Sequence, residues 1–156
     1  MTTPVKDLMT TDVICFREDT PVAEIARVLS ERRITGAPVV TSDDRVVGII
    51  SEVDVFSRKG TVAAEIMSSQ VLSIAEDTPI DEAARLLAGE RIRRLPVLKD
   101  GKLVGLLSRA DVLDFFIQSW WVCTACGHSE HGLEAPATCR ACSGSSFSLE
   151  RAQPRT

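Results

Sequence analysis

The chain predicts an α+β fold built as two copies of one small unit related by pseudo-twofold symmetry, followed by a separate cysteine-bearing segment. Three observations predict it. Laid against itself, the stretch from Val5 to Phe56 reappears as Ala63 to Leu113: Met9 falls on Met67, Glu18-Asp19-Thr20-Pro21 on Glu76-Asp77-Thr78-Pro79, Pro38-Val39 on Pro96-Val97, and Ser51-x-x-Asp54-Val55 on Ser108-x-x-Asp111-Val112. Two copies are too few for a solenoid, which stacks many neighbours to bury its faces, so a pair sharing one core is expected. Within each copy, one stripe at helical spacing stands among short apolar runs of strand length. Beyond the copies, two Cys-x-x-Cys pairs share a short segment with both tryptophans and both histidines. The expected division is repeat 1 over 1–60, repeat 2 over 61–118, a metal-binding segment over 119–150 and a disordered tail over 151–156.

Each copy opens with an amphipathic turn, Val5 to Met9 or Val62 to Met67, and then an apolar stretch expected as a strand, Val13 to Phe16 or Val71 to Ile74. A helix follows, with Thr20 read as its N-cap and Pro21 as its first residue, where a missing N–H costs nothing; Thr78-Pro79 repeats the pattern. Val22, Ile25, Ala26 and Leu29 form its buried stripe, as do Ile80, Ala83, Ala84 and Leu87, and the helices end near Arg33 and Arg91. Two strands come next, Ala37 to Val40 with Val46 to Ile50, and Leu95 to Leu98 with Leu103 to Leu107, the second pair joined by the hairpin signal Asp100-Gly101. Val46-Val47-Gly48-Ile49-Ile50 is apolar on both faces, so helices must cover the sheet. Gly48 and Gly105 within strands mark either close backbone approach or simple packing. Ser57-Arg58-Lys59-Gly60 is read as the linker.

The composition excludes several classes of protein. Of 156 residues, 44% are apolar and 26% charged, and no apolar run reaches the roughly 18 residues of a membrane span. The segment Met1 to Asp7 lacks the basic and apolar parts of a secretory signal, so a reducing cytoplasm is expected, with cysteines as thiols or ligands rather than disulfides. The net charge is −4. From Ser119 onward Arg140, Arg151 and Arg155 balance Glu130, Glu134 and Glu150, which denies the segment the basic face that nucleic acid requires.

The order of motifs, a Met-Thr opening, Asp-Thr-Pro before a helix, Gly-Ala-Pro-Val-Val or Leu-Pro-Val, then Val-Gly-hydrophobic-hydrophobic-Ser-x-x-Asp, resembles the cystathionine β-synthase (CBS) domain pair, or Bateman module, over roughly residues 4 to 117 in both copies. The resemblance implies a pseudo-twofold unit that binds an adenosine-bearing ligand such as AMP, ATP or S-adenosylmethionine in clefts between the repeats, regulates rather than catalyses, and pairs as a homodimer. It implies Ile14 and Leu72 at the base, Gly36, Ala37, Pro38, Leu95 and Pro96 beside it, and Ser51, Asp54, Ser108 and Asp111 on ribose and phosphate. Those roles are chemically coherent, since a carboxylate accepts from both ribose hydroxyls and free N–H groups at a helix start attract phosphate. Spacing alone reads the same Ser-x-x-Asp as a capping box, with Ser capping the helix and the carboxylate reaching back, and both readings stand.

The chain departs from the family pattern where many relatives carry Arg before the ribose-binding Asp; Val53 and Ala110 stand there instead. Arg91-Ile92-Arg93-Arg94-Leu95-Pro96 resembles the basic run that touches phosphates in the regulatory gamma subunit of AMP-activated protein kinase, and Thr35-Gly36 replaces Arg93-Arg94 in the first repeat. Unequal sites are expected. The bland reading of the arginines is a solvated helix end favoured by the macrodipole.

Cys123, Cys126, Cys139 and Cys142 stand at structural-zinc spacing. Two residues between thiolates let one tight knuckle present both sulfurs, and Gly127 is read as relieving its turn while its N–H bonds to sulfur. A segment this short cannot bury enough apolar surface to fold unaided, whereas bound zinc contributes roughly 10 to 16 kcal/mol. Four thiolates complete a closed shell, so His128 and His131 are read as surface residues, and Cys15 as a small buried hydrophobe in a core strand. The segment resembles a zinc ribbon, and its shell also resembles rubredoxin, which holds iron. Trp120, Trp121 and Phe147 are read as ribbon core and packing.

The reading that follows is a non-enzymatic sensor of an adenine nucleotide or related adenosyl ligand, with the ribbon as signal output toward an unidentified protein partner. The alternatives are an iron electron carrier and a nucleic-acid adaptor. No grouping of nucleophile, base and orienter points to an enzyme.

Overall fold

The computed structural model describes residues 3–151; Met1-Thr2 and residues 152–156 of the tail expected over 151–156 lie outside them. The chain divides into two compact units, one of Thr10–Glu76 with Leu95–Leu106, the other of the residues up to Met9, Asp77–Arg94 and Leu107 onward.

In the first unit, helix α1 (Val22–Arg32) buries Ile25 and Leu29, and Arg33 closes it in the left-handed conformation, its N–H bonding to the carbonyls of Leu29 and Ser30. Strand β1 (Gly36–Val40) is buried throughout and pairs antiparallel with β2 (Val46–Ser51), with Gly36 opposite Ser51 and Ala37 opposite Ile50. The short helix α2 (Glu52–Ser57) leaves β2 directly, and α3 (Ala63–Ile66) follows the linker. Phe16, Ile25, Leu29, Ala37, Val39, Ile50, Ala63 and Ile66 form the core. An added Cβ at Gly48 would strike the Met67 sulfur and stand 3.1 Å from the Ser68 carbonyl, so Gly48 marks close approach. Strands β3 (Ile74–Ala75), β4 (Arg94–Lys99) and β5 (Lys102–Ser108) form a sheet in that order, β3 parallel to β4.

The second unit holds a 3-10 turn at Val5–Asp7, α4 (Ile80–Gly89) burying Ile80, Ala83 and Leu87, and α5 (Arg109–Gln118). It ends in a sheet of β6 (Ser119–Cys123), β7 (Ser129–Glu130) and β8 (Phe147–Arg151), ordered β7-β6-β8. Arg151 pairs with Ser119.

The duplication is written into reciprocal hydrogen bonds. Thr3 O accepts from Ile80 N–H at 2.8 Å and Thr61 O from Val22 N–H at 2.9 Å, while Val5 N–H donates to Thr78 O and Ala63 N–H to Thr20 O. Thr10 bridges Leu106 and Ser68 bridges Ile49 in the same exchanged way. Each opening segment thus satisfies the first donors of the other copy's helix. That exchange corrects the capping expectation: Pro21 and Pro79 are the N-caps, extended at ψ 139 and 141, and neither helix start has a side-chain cap. Thr20 Oγ1 accepts from Arg17 N–H instead.

The stretch from Val13 to Phe16 is a second correction, since only Phe16 pairs, as a single parallel bridge to Val39. Val13 and Ile14 are half-buried and Cys15 is exposed, so Cys15 is no core hydrophobe.

Candidate functional site

Both Ser-x-x-Asp sequences close full capping boxes. Ser51 N–H donates to Asp54 Oδ2 at 2.8 Å and Asp54 N–H returns a bond to Ser51 Oγ at 3.4 Å. Ser108 N–H donates to Asp111 Oδ2 at 2.8 Å, and Asp111 N–H to Ser108 Oγ at 3.2 Å. One carboxylate oxygen in each box therefore serves the helix start, and the question for ligand chemistry is what the other oxygen meets.

The two boxes differ there. Arg58, four residues after Asp54, brings Nε within 3.3 Å of Asp54 Oδ1 while its Nη1 donates to Met67 O. The equivalent position in the second copy is Phe115, buried and overlain by the Arg151 guanidinium at 5.2 Å, so no guanidinium stands one turn after Asp111. The Asp54 box also heads a helix of six residues and the Asp111 box one of ten, and the longer helix presents the more complete dipole at its N-terminus.

The register of β1 on β2 brings Gly36 beside Ser51 and Ala37 beside Ile50. Pro38 is buried, and its carbonyl accepts from Phe16 N–H at 3.0 Å. Ile14 packs against the first-repeat core, and Leu72 is 39% exposed. In the second copy Leu95 and Pro96 are buried in β4, and Arg93 O accepts from Arg109 N–H at 3.2 Å, matching the Glu52 N–H bond to Thr35 O. Arg93 is exposed and Arg94 half-buried. Two residues that sequence reasoning missed organise this region. Arg58 follows Asp54 at helical spacing, so its pairing was legible. Arg109 donates from Nε to Ile92 O at 2.8 Å and from Nη2 to Leu87 O, tying the end of α4 to the start of α5, and no local pattern signals that bond.

The four cysteine sulfurs of the C-terminal segment lie within 4.8 Å of one another, with Cys123–Cys142 and Cys126–Cys139 each 3.6 Å apart. A tetrahedral ion at the usual Zn–S length of about 2.3 Å needs sulfurs about 3.8 Å apart, so the donor set fits such a metal. Two matching knuckles present them: Gly127 N–H donates to Cys123 O and Ser143 N–H to Cys139 O, with Gly127 and Ser143 both at positive φ. The Gly127 N–H therefore bonds a carbonyl, not a sulfur. The N–H groups that reach sulfur include Ala141 to Cys139 and Gly144 to Cys142. Backbone N–H groups of Cys126 and Ala125 draw the Cys123 thiol down to about 7. The N–H of Gly144 draws the Cys142 thiol down, but Cys126, Cys123, burial and Cys139 together push it up to about 12. Crowded thiols resist ionising together without a cation among them.

Trp121 is buried with its Nε1 donating to Gly132 O at 3.0 Å. His131 is no free surface residue: it lies 3.6 Å from the Trp120 ring centroid and 5.4 Å from that of Phe116, with Nδ1 2.9 Å from Ser119 O. His128 is half-buried, 3.5 Å from Glu130. Among the described residues no helix is long and apolar enough to cross a membrane.

Comparison with known proteins agrees with the repeat. The CBS domain family model matches residues 5–59 and 62–118. Curated relatives include inosine-5′-monophosphate dehydrogenase of Thermoplasma acidophilum, 39% identical over 65% of this chain, and homoserine O-acetyltransferase of Methanohalobium evestigatum, 33% identical over 70%. The chain spans only 21% and 23% of those two proteins. Among solved structures, CBSX2 in complex with AMP is 31% identical, with a TM-score of 0.68 over 70% of this chain and 93% of its own; CBSX2 is from Arabidopsis thaliana. A CBS domain pair in complex with 5′-methylthioadenosine and S-adenosyl-L-methionine is 28% identical, with a TM-score of 0.69 over 74% of this chain and 97% of its own. The chain belongs to the CBS domain family and carries the domain twice, ahead of a four-cysteine cluster able to hold a metal ion.

Proposed function

We propose that this chain is a non-enzymatic regulatory protein that binds an adenosine-bearing ligand, of the class of AMP, ATP or S-adenosylmethionine, at its Ser-x-x-Asp boxes. The single observation behind the reading is the repeated box itself, a carboxylate held beside helix-start N–H groups at Ser51–Asp54 and again at Ser108–Asp111. That pairing suits a ribose next to a phosphate or other anionic group. AMP and S-adenosyl ligands in the related CBS structures support the ligand class.

The stronger site is assigned to the second copy, through Ser108 and Asp111 with Arg93 and Arg94; the first comprises Ile14, Gly36, Ala37, Pro38, Ser51 and Asp54. Asp54 already faces Arg58, so a sugar hydroxyl must compete there. Repeats at 1–60 and 61–118 precede a ribbon at 119–150 held by zinc on Cys123, Cys126, Cys139 and Cys142. Because α5 runs directly into β6, which ends in Cys123, ligand at the Asp111 box acts on the element that carries a metal ligand. The ribbon is the output toward a protein partner, the chain pairs as a homodimer, and the compartment is the cytoplasm.

Calorimetry with AMP, ADP, ATP and S-adenosylmethionine on the wild type, Asp54→Ala and Asp111→Ala tests the reading. Saturable binding weakened chiefly by Asp111→Ala is expected. Normal binding by both variants, accompanied only by earlier melting, would reduce the carboxylates to caps. Metal analysis tests the ribbon: colourless protein with one zinc per chain is expected, whereas thiolate-to-iron absorption in the visible would indicate the electron-carrier reading.

A further inference from the structure

The two copies close the helix that precedes their Ser-x-x-Asp box in different ways. In the first, α1 ends on its own backbone: Arg33 is left-handed and Ile34 N–H donates to Leu29 O at 3.1 Å. In the second, Arg91 is again at positive φ, but the matching carbonyl, Leu87 O, accepts from Arg109 Nη2 at 3.4 Å. The same guanidinium donates from Nε to Ile92 O at 2.8 Å. Arg109 therefore closes α4 from outside, with a cation set at the negative end of its dipole. The residue matching Arg109 in the first copy is Glu52, whose ionised carboxylate has no proton to give a carbonyl.

Arg109 is also the first residue of α5, directly after Ser108, and its backbone N–H donates to Arg93 O at 3.2 Å. Side chain and backbone of one residue thus hold the carbonyls of Leu87, Ile92 and Arg93 at the start of the helix that carries Asp111. The segment so held is cationic. Arg91, Arg93 and Arg94 fall within four residues, where the first copy has only Arg33 between Arg33 and Gly36. The backbone bond alone exists in both copies, since Glu52 N–H donates to Thr35 O at 2.9 Å. What differs is the side chain. A guanidinium carries its donors in one rigid plane, so it grips two carbonyls at once and fixes the direction of the segment as well as its distance.

We infer that Arg109 is a positioning residue of the second box: it fixes the arginine run beside Ser108 and Asp111, so that this site selects a phosphate-bearing nucleoside over the bare nucleoside. The inference rests on the adenosyl reading above and adds to it the residue that sets the phosphate preference. Cations fixed in place before binding lose little freedom when an anion arrives, whereas an untethered run must be ordered at that moment. The ribose side of the site is independent of Arg109, because Ser108 N–H holds the Asp111 carboxylate.

Calorimetry with AMP and adenosine tests the inference on the full chain carrying Asp54→Ala, which leaves the second box as the reporting site. Adding Arg109→Gln is expected to lower AMP affinity at least about tenfold while adenosine affinity changes less than about twofold. Arg109→Lys keeps the charge but not the planar grip, and is expected to show the same loss. The amides of Glu90 and Arg109, which donate to Leu86 O and Arg93 O, are expected to exchange faster in both variants without ligand. AMP affinity retained by Arg109→Lys would mean that charge alone acts, and would overturn positioning. So would an equal fall for AMP and adenosine, AMP affinity unchanged in Arg109→Gln, or unchanged amide exchange. A wild type that binds neither compound would sink the adenosyl reading and this inference with it, an outcome distinct from all the others.

Discussion

The two repeats share one box and one fold of chain, yet each puts its second helix to a different use. In the first, α2 stops after six residues at a linker and Arg58 turns back onto Asp54; in the second, α5 continues for ten residues into β6, with Phe115 where Arg58 stood. A duplicated sequence thus separates a self-satisfied copy from one whose carboxylate, among the described residues, has no such cation one turn on and whose helix leads to the four-cysteine cluster. On the proposed function, the residue one turn beyond the carboxylate is what distinguishes the two copies as ligand sites.

The largest expected effect comes from removing what only the second copy is joined to. Chelation, or Cys139→Ser, is expected to abolish amide protection across β6 to β8 while Ile25 and Ile50 in the first-repeat core stay protected, read by hydrogen exchange. Metal loading displaces protons from thiols, and with Cys142 pushed up to about 12 and Cys123 near 7, apparent zinc affinity should rise with pH and fall in acid.

In the first copy stability rests instead on apolar packing. Ile50→Ala, at a fully buried position, is expected to cost about 2 to 5 kcal/mol in denaturant unfolding and leave zinc content unchanged. Loss of zinc from the C-terminal cysteines on disrupting the first-copy core would erase the contrast between the two regions.

Smaller effects refine the comparison of the boxes. Asp54→Ala and Asp111→Ala each remove the reciprocal half of a capping box, and each should cost about 0.5 to 1.5 kcal/mol of stability. Only Asp111→Ala should also weaken the adenosyl ligand by more than about tenfold. The smallest effect belongs to Arg58→Ala. Its half-exposed ion pair with Asp54 contributes about 0.5 kcal/mol or less, so melting should barely move, while removal frees Asp54 Oδ1 and should raise affinity at the first site in a calorimetric titration.

Much of this was legible in the chain. The offset repeat, the stripes ending in Leu29 and Leu87, and the four cysteines each follow from a local period or spacing, and the folded protein keeps them. What sequence could not supply depends on contacts between distant segments. Thr20 reads as a cap, but the carbonyl of Thr61 serves Val22 N–H instead. Val13 to Phe16 reads as a strand, yet only Phe16 finds a partner. His131 looks like a surface residue until Trp120 and Phe116, on the preceding strand and helix, close over it. The proposed ligand site shares this character. Its Ser-x-x-Asp pattern is local, but whether the second carboxylate oxygen is occupied depends on Arg58 or Phe115 and on how each packs.

The most direct test is a calorimetric titration of Asp111→Asn with AMP and S-adenosylmethionine. Asparagine keeps an oxygen for the helix cap but loses the charge and one of the two acceptors a ribose diol would use. The account predicts a melting temperature close to wild type with affinity at least about tenfold lower. Unchanged affinity, whatever the melting temperature, would contradict it.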